Sequence, residues 1–132
     1  LWIAEGTYYP DDGANVTEGD RAASFTLKDG VALYGGFVGT ETSLAERDWE
    51  TYVTTLSGKI FTEQTYWSIH VCKLTVSDNY YASVSVSFDG LSVIGGNANG
   101  SGTGENSSGA VYTDTSYYNN YYYLFVLVSI LV

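Results

Sequence analysis

The sequence predicts an all-β chain wound as repeated coils, with one strand returning to the same place on each turn. Three observations carry that expectation. First, Asp29-Gly30-Val31-Ala32-Leu33-Tyr34-Gly35-Gly36 is echoed by Asp89-Gly90-Leu91-Ser92-Val93-Ile94-Gly95-Gly96, both reading D-G-apolar-x-apolar-x-G-G. A spacing of about three coils of 20 is the mark of a repeat architecture. Second, the chain holds 13 Tyr and 15 Gly but one Pro and few Lys, a composition suited to strands and tight turns. Third, Ala82 to Phe88 alternates, with Val84, Val86 and Phe88 on one face and Ser83, Ser85 and Ser87 on the other.

Taken in order, Leu1 to Ala4 reads as a short apolar strand. The stretch Pro10-Asp11-Asp12-Gly13-Ala14-Asn15 gathers turn formers: Pro fixes φ, Gly permits φ > 0, and Asp and Asn bond to their own backbone. Asp11, Asp12 and Asn15 offer oxygen ligands of the kind calcium takes, but without an acidic residue closing the loop at the twelfth position. A plain surface loop is the simpler reading, and calcium is the one cofactor the sequence suggests. Ala23 to Leu27 and Val31 to Phe37 read as strands joined by the turn Lys28-Asp29-Gly30, and Gly35-Gly36 marks a bend or a close passage. The pair does not fit the G-x-G-x-x-G pattern of a dinucleotide cradle.

Ser43-Leu44-Ala45-Glu46 is a capping-box pattern and predicts one or two helical turns through Trp49. Arg47, with Glu46, Asp48 and Glu50 around it, reads as a charge-paired latch and Trp49 as its apolar anchor, rather than as an acid/base group. Val53 to Ile60, Ile69 to Val76 and Ala82 to Phe88 supply further strands. His70, the single histidine, has no marked carboxylate or nucleophile nearby and reads as a strand residue facing solvent. Asn97 to Ser108 is Gly-, Ser- and Asn-rich, a lateral loop between coils. The run Leu124 to Val132 is too short for a bilayer span, which needs about 20 residues, and its β-branched content reads as a strand.

With 132 residues the chain is expected to form one domain, residues 1–132, as a fragment or one protomer of a larger assembly. A net charge of −10 argues against nucleic acid and anionic membranes as partners, because both select basic surfaces. The lone Cys72 rules out an internal disulfide and a cysteine zinc site, and its neighbours Val71 and Leu74 suggest a buried thiol. The start at Leu1-Trp2-Ile3, without an initiator Met or a signal peptide, suggests a mature product or a fragment. N-x-[ST] triplets at Asn15, Asn99 and Asn106 are candidate glycosylation sites and agree with an extracellular setting.

Residues 1 to about 100 resemble the right-handed parallel β-helix repeat proteins of bacteria, secreted or surface-attached members of the pectin-lyase-like superfamily. The resemblance rests on Trp2-Ile3-Ala4-Glu5-Gly6-Thr7-Tyr8, Asp20 to Val31, Tyr34-Gly35-Gly36-Phe37, Gly39-Thr40-Glu41-Thr42-Ser43-Leu44, Arg47-Asp48-Trp49 and Leu56-Ser57-Gly58. Asp89-Gly90-Leu91 and Ile94-Gly95-Gly96-Asn97-Ala98 complete it, in the same order. Beyond Asn106 such proteins continue with Asn- and Gly-rich coils, whereas this chain turns to Tyr, Leu and Val runs. The resemblance implies a short right-handed parallel β-helix (a solenoid) of about four to five coils, with lateral loops and one short helix.

Three functions follow as expectations. The first is an extracellular or cell-surface structural or adhesive protein that self-associates through an open apolar end, as a filament or surface-layer subunit. Leu124, Phe125, Val126, Leu127, Val128 and Ile130 would meet another copy or further coils of the same chain. The second, implied by the superfamily, is a polysaccharide lyase, for which Asp29, Asp48, Asp89 and Lys59 or Lys73 are the only candidates and no spacing singles them out. The third is a carbohydrate-binding protein using tyrosine and tryptophan faces, although aromatic ladders serve stability equally well. No catalytic group is identified.

Overall fold

The computed structural model describes residues 1–60, 66–75, 84–102, 105–106, 109–114 and 124–129. Its strands are β1 (Trp2–Ala4), β2 (Gly6–Tyr8), β3 (Phe25–Leu27), β4 (Val31–Phe37), β5 (Thr54–Ser57) and β6 (Lys59–Ile60). They continue as β7 (Tyr66–Trp67), β8 (Cys72–Thr75), β9 (Val84–Asp89), β10 (Leu91–Ile94), β11 (Val111–Asp114) and β12 (Leu124–Ser129). The helical content among the described residues is a single 3₁₀ turn, Leu44–Glu46. The chain is thus nearly all β, as its composition predicts.

Three sheets are parallel throughout: β1-β4-β9-β12, β2-β5-β10 and β3-β8-β11; β6 and β7 form a small antiparallel pair. Along the chain the strands visit the first, second and third sheets in a fixed rotation, set aside the β6–β7 pair. Among the described residues this gives three passes, or rounds, through the sheets and the opening strand of a fourth. The rounds are longer than 20 residues. Trp2 pairs with Tyr34 and Val31 with Val86, so one round takes 32 residues and the next 55. Segments inserted between strands, such as 9–24 and 38–53, account for the excess.

The rotation corrects the reading of the repeated motif. Val31–Phe37 lies in the first sheet, but Leu91–Ile94 lies in the second, so the two copies do not occupy equivalent places. Their shared feature is the corner. Tyr34 pairs with Asp89, which brings Gly35 of the first copy beside Gly90 of the second. A Cβ on Gly35 would collide with the Gly90 carbonyl and lie 2.8 Å from Thr54 Cβ, so glycine is required where the two rounds bend together.

The core gathers side chains from all three sheets: Leu33, Val86 and Phe88 from the first, Leu56 from the second, Leu27, Cys72 and Leu74 from the third, with Val71 beside them. Like residues stack from round to round, Val31 on Val86, Leu33 opposite Phe88 and Leu27 opposite Leu74. Each such side chain removed from water contributes about 1.5–3 kcal/mol before entropy is counted. Along β9 Val86 and Phe88 are buried, Ser85 is exposed and Ser87 is half-buried, which follows the expected alternation.

Candidate functional site

Among the described residues the corner between the first and second sheets is crossed three times, and in the second round it carries the 38–53 insertion. The capping-box pattern is only partly realised there. Glu46 accepts from the Thr42 amide (2.9 Å) and the Ser43 hydroxyl (3.1 Å), while no side-chain bond caps the turn at Ser43. The helix ends at Glu46 instead of running to Trp49, because Arg47 is already extended. Glu41 accepts from the amides of Val38, Gly39 and Thr40, and Asp48 from the Thr51 hydroxyl and the amides of Glu50 and Thr51. These bonds hold all three carboxyls below the usual range: chiefly the Val38 amide for Glu41, the Thr42 amide for Glu46 and the Thr51 hydroxyl for Asp48.

The latch exists, with a partner the local sequence does not reveal. Arg47 Nη2 lies 3.0 Å from Asp89 Oδ2, a residue one round away, and not from its acidic neighbours in the chain. Its guanidinium also sits 4.9 Å from the Trp49 ring centroid and 5.4 Å from that of Tyr34. Trp49 in turn packs on the bare backbone of Gly36 and Gly90. Below it, buried Thr54 accepts from the Gly36 amide (3.2 Å) and donates to the Ala4 carbonyl (3.1 Å), tying the first round to the second.

The second-to-third corner has its own clamp, built on Arg21. Arg21 Nε donates to the Trp67 carbonyl at 3.1 Å and Nη2 to the Asn97 carbonyl at 3.0 Å, with Asn99 Oδ1 also accepting from Nη2. One side chain from the first round therefore reaches the second and the third. Sequence reasoning missed it: the available signal was an arginine in a loop otherwise rich in Asp, Glu and Asn, which is weak.

The residues weighed for catalysis do not converge. Asp29 accepts from the Ser85 amide (2.9 Å), Asp48 closes its own turn and Asp89 pairs with Arg47. His70 departs from expectation. It is half-buried, precedes the strand, and stacks on Tyr112 with centroids 4.2 Å apart; Lys73 Nζ lies 5.9 Å from the same tyrosine ring. Cys72 is fully buried, and burial pushes its thiol up to about 12, so it is a packed side chain rather than a nucleophile.

Asp11, Asp12 and Gly13 line a cleft of about 490 Å³ with Tyr9, Val16, Glu18, Lys59 and Ile60. The cleft places the 9–24 loop beside the second round. Asp11 is buried and accepts from the Gly19 amide at 2.9 Å, a bond that closes the loop on itself; Asn15 is exposed with φ of 65°. Among the described residues no three of His, Cys, Asp and Glu come together in a way that would hold a metal ion. Of the glycosylation candidates, Asn15, Asn99 and Asn106 are all exposed, and Asn99 is the one engaged by Arg21.

The outermost strands complete the set of candidate surfaces. Among the described residues β1, β2 and β3 have a neighbour on one side only, as do β10, β11 and β12. Leu124, Phe125, Val126, Leu127 and Val128 lie on β12, in register with β9 from Leu124–Val84 to Ser129–Asp89; Ile130 falls outside the described residues. Trp2, stacked on Phe37 at 4.8 Å, and Tyr8 remain exposed on the first round. No helix among the described residues is long and apolar enough to cross a membrane. In comparisons with known proteins, no family model, no curated protein and no solved structure matches this chain.

Proposed function

We propose that the chain winds as a right-handed parallel β-helix, of the kind found in pectin-lyase-like surface proteins, and serves as an extracellular structural or adhesive subunit that stacks on copies of itself. The observation that carries this reading is the fixed rotation of parallel strands through three sheets, in which, among the described residues, the outer strand on either side of each sheet has an unpaired edge. Parallel strands joined by crossovers in one sheet are almost always right-handed. Unpaired edges are templates for strand addition, and the two sets belong to the same three sheets, so a second copy or a further round of the same backbone fits by simple translation. A contact of that kind does not close and propagates a filament. The test is electron microscopy and sedimentation of the purified chain, alongside Thr7→Pro, which removes an amide from an outer strand. Filaments with a repeat near 4.8 Å along the axis, lost in the variant, are expected. A dispersed monomer with full β signal at high concentration overturns the proposal.

One observation favours a second reading, carbohydrate binding. The cleft is lined by Tyr9 together with Asp12, Glu18 and Lys59, an aromatic side chain and groups able to bond sugar hydroxyls. The Tyr112 ring, by contrast, already carries His70. Titration of the chain with neutral and acidic oligosaccharides, followed by Tyr9→Ala, decides it: binding that survives the variant places the sugar elsewhere, and no binding removes the reading. An assay on pectate with and without calcium tests the lyase alternative through its unsaturated product.

A further inference from the structure

We draw no further inference here: the strongest candidate, the cleft between the 9–24 loop and β6, belongs to the carbohydrate-binding reading already given, and no second observation identifies another ligand for its carboxylates.

Discussion

Two corners of this molecule solve one problem with different chemistry. Each brings glycine backbones from successive rounds together, Gly35 with Gly90 at the first and Gly58 with Gly95 at the second. A tryptophan adjoins each, Trp49 at Gly36 and Gly90 through its backbone and Cβ, Trp67 at Gly95 through its ring. Each is fastened by an arginine from an inserted segment. Arg47, however, meets a carboxylate and two aromatic rings, whereas Arg21 meets two backbone carbonyls and an amide oxygen. The first clamp draws on charge; the second is a hydrogen-bond staple that spans three rounds. The lesson is that crowding at the corner is the common requirement, and the fastening is free to vary.

The largest effect should come from attacking what the corners share. Gly35→Ala and Gly58→Ala each force a Cβ onto a carbonyl of the next round, and each should cost more than about 3 kcal/mol or prevent folding. Urea unfolding reads this, and a near-neutral result at either corner would show that the rounds are not tightly stacked there. Next comes the staple. Arg21→Ala leaves the part-buried Trp67 carbonyl and two exposed acceptors without their charged donor and should cost about 2 kcal/mol, with Arg21→Lys recovering little because one ammonium cannot match the fork. Arg47→Ala should cost less, about 1–2 kcal/mol, and the loss should shrink in high salt while that of Arg21→Ala does not. Equal salt sensitivity in the two variants would erase the distinction.

Acid separates the corners further. Glu41, Glu46 and Asp48 have carboxyls lowered in the folded chain, so the stability they contribute is present above the ordinary values of 4.5 and 3.8 and is lost as pH falls through the lowered ones. Amide protection factors in 38–51 should therefore fall on acidification before those around Trp67 and Asn97 do. The smallest effect concerns Cys72. Its raised thiol binds a proton that the unfolded chain loses near 9, so stability declines from pH 9 toward about 12 and is unaffected by this group below that range. Native chain should resist thiol reagents at neutral pH, and Cys72→Ala should flatten the alkaline decline.

Much of the fold was legible because strands with buried faces announce themselves by pattern. Val31 to Phe37 is β4, Val84 to Phe88 falls on β9, and Leu124 to Ser129 of the apolar run is β12. Gly6–Tyr8 and Val111–Asp114 escaped notice, since three or four residues with no apolar alternation carry no period to read. The motif echo misled for a related reason. Asp-Gly and Gly-Gly mark bends, and a chain that visits three sheets in turn has several kinds of bend, so identical dipeptides need not be equivalent positions. Of the clamps, Arg47 and Trp49 were visible as a pair, but Asp89 lies 42 residues away and Arg21 reaches 76 residues to Asn97. Partners set by stacking between rounds leave no local trace.

The parallel pairing also dictates how such a chain must be made. β1 finds no partner until Tyr34 has left the ribosome, β2 none until Thr54, and β3 none until Cys72. Closing such wide loops before any contact rewards them makes folding slow, and growing chains carry bare strand edges for as long as the next winding is untranslated.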